Sequence, residues 1–200
     1  MTLSQRSIGR RCLVIGAWFL VVLWGIGGAT SLQAQSQASD NPSPHSEATL
    51  ISEQEAIVPG EPLTVGLRLE MDAGWHSYWK NPGASGEPTT LDWALPESYE
   101  TSGFQWPYPH QIEFGSLISY GYSDEVLLIA TVTPPDTLTP GTTATLSGRA
   151  EWLICEEICL PAHSEVGVTL PVSDEAPAES KRASAFEAAR AKHPKRVSDW

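Results

Sequence analysis

The chain of 200 residues contains only three cysteines, and its basic residues are scarce. Lys and Arg number 12 against 24 Asp and Glu, which gives a formal net charge of −12. Phosphate backbones and anionic lipids repel a chain this acidic, so neither nucleic acid nor a lipid surface is an expected partner. The sequence also lacks an internal repeat, a glycine-rich phosphate loop, a Ser/His/Asp order and a paired-carboxylate motif. Any chemistry must therefore come from a small number of residues.

The N-terminus has the layout of a secretory signal peptide. Three arginines within residues 6–11 precede an uncharged apolar run over residues 12–28, and small and polar residues follow. This pattern predicts a signal peptide over residues 1–34. An uncleaved membrane anchor is the alternative, because the run approaches the ~18 apolar residues of a spanning helix. Cleavage would remove Cys12 and the three arginines, change the formal charge to −15, and leave two cysteines in an exported chain, where disulfides persist.

The rest of the chain divides by composition into three parts. Residues 35–47 are rich in Ser, Gln, Pro and Asp and predict a flexible linker. Residues 48–172 carry short apolar segments separated by turn residues, and we expect them to form one domain. Residues 173–200 begin as an acidic linker and continue over residues 180–192 into an Ala-, Lys-, Arg- and Glu-rich stretch. That stretch predicts a short exposed helix and leaves open a further region beyond it.

Alternation of apolar and polar residues locates the strands. Residues 63–70 alternate with period two, and residues 126–133 form a continuous apolar run that predicts a strand buried on both faces. An aromatic strand is predicted over residues 75–79, followed by a loop over residues 81–86. A long strand over residues 144–154 keeps its apolar residues in one phase. Short strands at this spacing, without helical periods, predict an all-β fold of the β-sandwich type.

Cys155 and Cys159 lie at the end of the long strand, with two glutamates between them. Four extended steps span ~13 Å, whereas a disulfide needs Cα atoms about 4.4–6.8 Å apart. The bonded pair therefore requires a turn or one helical coil, which Pro161 would help to end. A loop this small contributes only about 2 kcal/mol as a staple, and tight bridges near the surface are more often labile or catalytic. The glutamates should raise the thiol pKa, which favours a pair that reacts with a docked partner.

Two other functions remain open for the cysteines. The bridge could only shape a loop in a non-catalytic binding module. Alternatively, copper or zinc could bind two sulfurs and one nitrogen from Cys155, Cys159 and His163, which are spaced four residues apart. Against this, Pro161 would break a helix that carried all three ligands. His76 and His110 are also present, but each lies near aromatics, so we expect a packed or hydrogen-bonded side chain there. No cofactor is expected.

Four motifs occur in an order that a known family shares. They are Gly74-Trp-His-Ser-Tyr-Trp79, Glu113-Phe-Gly115, Asp124-Glu-Val-Leu-Leu128 and Cys155…Cys159-Leu-Pro161 before a strand. In this order they resemble the N-terminal periplasmic domain of the thiol:disulfide interchange protein DsbD and its ScsB-like relatives. The resemblance covers roughly residues 50–172. The three-residue gap between the cysteines is the one expected in the ScsB-like branch.

The resemblance implies an immunoglobulin-like β-sandwich in the periplasm, whose Cys155 and Cys159 cycle between dithiol and disulfide. It implies a thiol:disulfide oxidoreductase that receives electrons from a membrane-fed, thioredoxin-like partner and passes them to oxidised exported proteins. Phe114, beside Glu113, matches an aromatic cap that shields the cysteines until docking. Trp75 and Tyr78 match the aromatics beneath the active site. No membrane or thioredoxin domain follows within these 200 residues. Either the membrane electron carrier of the DsbD type is a separate protein, or this chain is part of a longer one, or the domain has another use.

Overall fold

The predicted strands form two antiparallel sheets that enclose one apolar core. The computed structural model describes residues 45–195, so the predicted signal peptide lies outside the described residues. Within that range the elements are β1 (Ser46–Ser52), β2 (Leu63–Met71), β3 (His76–Gly83), β4 (Thr90–Trp93), β5 (Glu100–Thr101), β6 (His110–Phe114), β7 (Leu117–Ser123), β8 (Glu125–Thr133), β9 (Thr143–Cys155), β10 (Cys159–Pro171) and α1 (Ala183–Ala191).

The two sheets differ in size and share the core between them. One has the order β1-β2-β8-β5, and the other has the order β10-β9-β3-β7-β6, with β4 paired to β9. Residues in one phase of each long strand face inward, as alternation predicts. Leu67 and Leu128 from the first sheet meet Leu146, Trp152 and Ile154 from the second in a single buried cluster. This packing of sheet on sheet is the predicted β-sandwich.

Strand β8 is buried on both faces, as its continuous apolar sequence predicts. Its inner face contributes Leu128 to the main core, whereas Leu127 and Ile129 lie on the outer face. The outer pair packs against Phe186 and Ala189 of α1. A strand in the middle of a sheet can be apolar on both sides only where a further layer covers it. The C-terminal helix supplies that layer.

The predicted helix is present, but it is only partly exposed. Ala183, Phe186 and Ala189 recur at helical spacing and are all buried against the sheet. On the open side, Arg190 donates two hydrogen bonds of 2.5 Å to the carboxylate of Glu53. This hydrogen-bonded guanidinium lowers the pKa of Glu53, with burial opposing the shift. Among residues 45–195, no helix has the length and hydropathy of a membrane span.

The loop predicted over residues 81–86 begins later than expected. Strand β3 continues to Gly83 after an irregularity in its pairing with β7, between Tyr78 and Gly83. Gly83 has a φ of 92°, and a side chain there would collide with the backbone of Ile118. Glycine therefore lets the strand resume pairing after the irregularity.

We predict that Phe186→Ala lowers the free energy of unfolding by about 3 kcal/mol, because it empties a fully buried site between α1 and the sheet. Urea unfolding measures the change. Ser184→Ala, on the exposed side of the same helix, is the matched control and should change stability little. Equal unfolding midpoints for the two variants would show that the helix does not dock as described.

Candidate functional site

The two cysteines face each other across a β-hairpin. Cys155 ends β9, Cys159 begins β10, and they are direct partners in the antiparallel register. Their Cα atoms are 4.2 Å apart and their sulfurs are bonded. Three residues form the connection, in which the N–H of Glu156 donates to the carbonyl of Ile158 at 3.2 Å. The turn foreseen from spacing is therefore present.

The helical coil offered as the other possibility is wrong. Antiparallel neighbours directly opposite each other already lie at about 4.5–5.5 Å, so a tight hairpin closes the distance without a coil. Pro161 consequently does not end a coil. It lies within β10, opposite Leu153, and β10 is an edge strand of its sheet. Edge strands accept proline because one row of their backbone donors is unpaired.

The two cysteines differ in exposure. Cys155 is only 1% exposed, whereas Cys159 is exposed. Cys155 follows Ile154, which points into the main core, so its side chain faces the other side of the sheet. On that face the side chain of Tyr78, from the neighbouring strand β3, contacts the sulfur of Cys155, and His76 of β3 is the register partner of Cys155. An incoming group can therefore reach one sulfur more readily than the other.

Tyr78 contacts both sulfurs. Its hydroxyl donates a hydrogen bond of 3.3 Å to Cys155 Sγ and lies 3.6 Å from Cys159 Sγ. The ring is 3% exposed and rests against Gly86, where φ is 103°. Any side chain at position 86 would occupy the space of the ring. The Tyr78 ring is therefore held in one position beneath the disulfide.

A second side chain extends this contact away from the sulfurs. His76 Nε2 lies 3.4 Å from the Tyr78 hydroxyl, and the two rings meet edge to face at 5.3 Å. Burial lowers the pKa of His76, and the nearby His110 lowers it further. His110 itself lies 3.2 Å from the hydroxyl of Ser123. We expect His76 to be neutral at ordinary pH.

A cleft of about 430 Å³ opens beside the disulfide. It is bounded by the hairpin loop, by β3 and by the β6–β7 hairpin, which come from three separate parts of the chain. Its lining residues are Gly74, His76, Tyr78, Ser85, His110, Gln111, Ile112, Glu113, Phe114, Ser119, Ser123, Cys155, Glu156, Glu157 and Cys159.

The residues named from the resemblance occupy different positions around this cleft. Phe114 ends β6 with 61% of its surface exposed, and Glu113 accepts a hydrogen bond of 2.7 Å from Gln111. Tyr78 forms the floor. Trp75 does not line the cleft; it belongs to the main core and stacks on the ring of His45 with centroids 3.9 Å apart.

The structure does not assemble the alternative metal ligands. His163 lies four residues along β10 from Cys159, which separates their Cα atoms by ~13 Å, and its register partner is Glu151. Both sulfurs are already bonded to each other. Within residues 45–195 there is no group of three or more His, Cys, Asp or Glu side chains placed to hold a metal ion.

Two histidines in the cleft were missed as site residues by reasoning from sequence. His76 and Tyr78 are two residues apart in β3 and therefore share a face of the sheet. That spacing is the only signal in the sequence that links His76 to the site. His110 enters the cleft because β6 pairs with β7, which in turn pairs with β3. No local pattern predicts that arrangement.

Comparisons with known proteins identify related domains. The family model described as thiol:disulfide interchange protein DsbD, N-terminal, matches residues 47–171. The N-terminal periplasmic domain of ScsB from Proteus mirabilis is similar in structure, with 18% identity, a TM-score of 0.59, and coverage of 76% of this chain and 56% of that chain. The chain thus spans little more than half of the ScsB domain. This likeness confirms the predicted immunoglobulin-like β-sandwich.

A second solved structure is the reduced DsbD N-terminal domain of Neisseria meningitidis. It is 14% identical, with a TM-score of 0.31 and coverage of 66% of this chain and 90% of that one. A search of curated proteins finds no match.

We predict that Gly86→Ala destabilises the oxidised protein by about 2–4 kcal/mol, because the new methyl group enters the space of the Tyr78 ring and the backbone is left-handed there. Urea unfolding measures the loss. Gly103→Ala is the matched control, since its Cβ would meet nothing within 4 Å. If both variants lose the same stability, the close contact at Gly86 is refuted.

Proposed function

Because the chain belongs to the family of DsbD N-terminal domains, we propose that it is a periplasmic thiol:disulfide oxidoreductase domain that passes electrons from a membrane-fed reductant to oxidised exported proteins. The observation that carries this proposal is the Cys155–Cys159 disulfide, which lies at the edge of a cleft with Cys159 exposed and Cys155 buried. The matched family is periplasmic, and thiol:disulfide exchange is its general chemistry.

The difference in exposure supports an order of events. The thiolate of a reduced partner attacks Cys159 Sγ, the S–S bond breaks, and Cys155 leaves with the electron pair as a thiolate. The second thiolate of the partner then attacks the mixed disulfide and releases Cys159. The partner is now oxidised, and this domain holds the two electrons as a dithiol.

The second half of the cycle reverses the roles. The Cys159 thiolate attacks the disulfide of an oxidised exported protein and forms a mixed disulfide. Cys155 resolves it, restores the internal bridge, and leaves the exported protein as a dithiol. We propose thioredoxin-like periplasmic proteins as partners, with a membrane carrier of the DsbD type as the electron source.

The surroundings favour reaction with a docked partner over reaction with free thiols. Glu113, Glu156 and Glu157 line the cleft beside the sulfurs. Negative charges near a thiol disfavour its thiolate form. A partner that covers the cleft would bring its own donors and exclude water.

Phe114, Tyr78 and Trp75 are proposed to shield and support the pair without reacting. Phe114 is the exposed edge of the cleft, where a side chain can limit access and still move aside. Tyr78 forms the floor, and Trp75 supports the start of β3 from the core. Glu113 lies beside Phe114 on the same strand.

We predict that single-cysteine variants differ strongly in reactivity. With Cys12→Ser in both, Cys155→Ser leaves the exposed Cys159, and Cys159→Ser leaves the buried Cys155. The first should form a mixed disulfide with a small aromatic disulfide at least about tenfold faster. Stopped-flow absorbance measures the two rates under native conditions, with each denatured variant as its own control. Equal rates would contradict the proposed order of attack.

The unmodified pair should also equilibrate with a glutathione redox buffer. A bridge that stays oxidised under strong reductant in the native state would refute the exchange function. The alternative, a binding module with a structural disulfide, predicts that serine at both positions leaves partner binding intact.

We predict that Phe114→Ala speeds reduction of the disulfide by a small dithiol, on the order of fivefold, because access to the sulfurs increases. The reduction potential should change little, since Phe114 makes no hydrogen bond to either sulfur. Leu117→Ala is the matched control, because Leu117 is also an exposed apolar residue of the β6–β7 hairpin but does not line the cleft. If Leu117→Ala speeds reduction equally, shielding by Phe114 is ruled out.

A further inference from the structure

A chain of two hydrogen bonds leads from His76 through Tyr78 to the disulfide. The contacts are 3.4 Å from His76 Nε2 to the Tyr78 hydroxyl and 3.3 Å from that hydroxyl to Cys155 Sγ. A bonded sulfur can only accept, so the single hydroxyl proton points towards Cys155. With that proton used, the oxygen of Tyr78 accepts from His76 in the tautomer that carries the imidazole proton on Nε2.

We propose that His76 is a positioning residue for exchange at the disulfide: its Nε2–H holds the Tyr78 hydroxyl directed at Cys155 Sγ, so that the hydroxyl stabilises the Cys155 thiolate formed on reduction. The inference rests on the proposed function and adds to it His76, whose side-chain hydrogen bond goes to Tyr78. Its role is exerted through Tyr78 alone.

The surrounding residues restrict the position of the Tyr78 ring. Gly86 closes one side of its ring, and His76 meets the ring edge to face. His76 is held in turn by the register that pairs it with Cys155 across β3 and β9. The hydroxyl can still rotate about its C–O bond, and the donor from His76 determines where its proton points.

The charges around the cysteine pair oppose formation of a thiolate, and the hydrogen bond from His76 acts against them. The other titratable groups of the cleft are His110, Glu113, Glu156 and Glu157, and the glutamates oppose formation of a thiolate. Burial and His110 both lower the pKa of His76, so the donor is the neutral imidazole. Two aligned neutral donors therefore offset part of the effect of the carboxylates.

The exchange step remains balanced with Tyr78 as a hydrogen-bond donor only. As the partner thiolate attacks Cys159, the S–S bond breaks and its electron pair passes to Cys155. The hydroxyl bond to Cys155 Sγ strengthens as negative charge develops there, because charged acceptors form stronger hydrogen bonds. The proton stays on Tyr78, and both electrons come from the partner dithiol.

The test is the ionisation of Cys155 in full-length protein that carries Cys12→Ser and Cys159→Ser. The ultraviolet absorbance of the thiolate, followed across a pH titration, gives the acid dissociation constant. His76→Phe keeps an aromatic ring but removes the donor, and it should lower that constant about fivefold, the effect of one neutral hydrogen bond. His76→Gln restores an N–H near the position of Nε2 and should return the constant close to its starting value.

Tyr78→Phe shows whether the effect passes through tyrosine. It should lower the constant at least as much as His76→Phe does, and adding His76→Phe to it should cause no further change. His163→Phe is the matched control, because that histidine lies on β10 away from the sulfurs. Circular dichroism checks folding, and His76→Leu replaces His76→Phe if the latter does not fold.

Three results would overturn the proposal: an unchanged constant in His76→Phe, a glutamine variant that behaves like the phenylalanine variant, or an undiminished effect of His76→Phe after Tyr78→Phe. The titration uses no redox partner. A failure of glutathione exchange would therefore refute the proposed function and leave this measurement valid, whereas the results above would refute only the role of His76.

Discussion

The register between β9 and β10 is the constraint on which the site depends. It places Cys155 directly opposite Cys159, at a distance that a disulfide can span across a three-residue connection. A shift of one residue would turn one cysteine to the other face of the sheet and separate the sulfurs. The long alternation of buried residues in β9 prevents such a shift, because it would expose Leu146, Trp152 and Ile154. The core therefore holds the reactive pair in place.

The same sheet gives the two sulfurs unequal surroundings. Cys155 ends β9 beside β3, where it is buried and Tyr78, itself in contact with His76, donates a hydrogen bond to its sulfur. Cys159 lies at the start of an edge strand and faces the cleft. The proposed exchange uses this difference: Cys159 is the cysteine that a partner attacks, and Cys155 is the leaving group. In this proposal the acidic loop between them disfavours reaction with free thiols, since carboxylates disfavour a nearby thiolate.

The other sheet, β1-β2-β8-β5, packs against the C-terminal helix. Its strand β8 is apolar on both faces and needs cover on the side away from the core, which α1 provides through Phe186. The backbone N–H of Tyr108, just before β6, donates to the carbonyl of Lys192 beyond the helix at 2.8 Å. The helix is thus tied both to the sandwich and to the segment that leads into the cleft. Its burial explains why this part of the chain is ordered together with the domain.

Sequence alone located several of the strands, because alternation records which side chains are buried. It also singled out Cys155 and Cys159, because so few cysteines are present. The continuous apolar run of β8 and the composition of the last helix were equally readable, since both patterns are local. Only the tertiary structure showed that the cysteines bridge a hairpin and that Pro161 lies in an edge strand. The sequences of β9 and β10 do not specify which strands they pair with. The tertiary structure also brought His76 and His110 into the cleft and left His163 outside it. A lone histidine has no sequence pattern of its own, so its role depends on which distant strands pack around it.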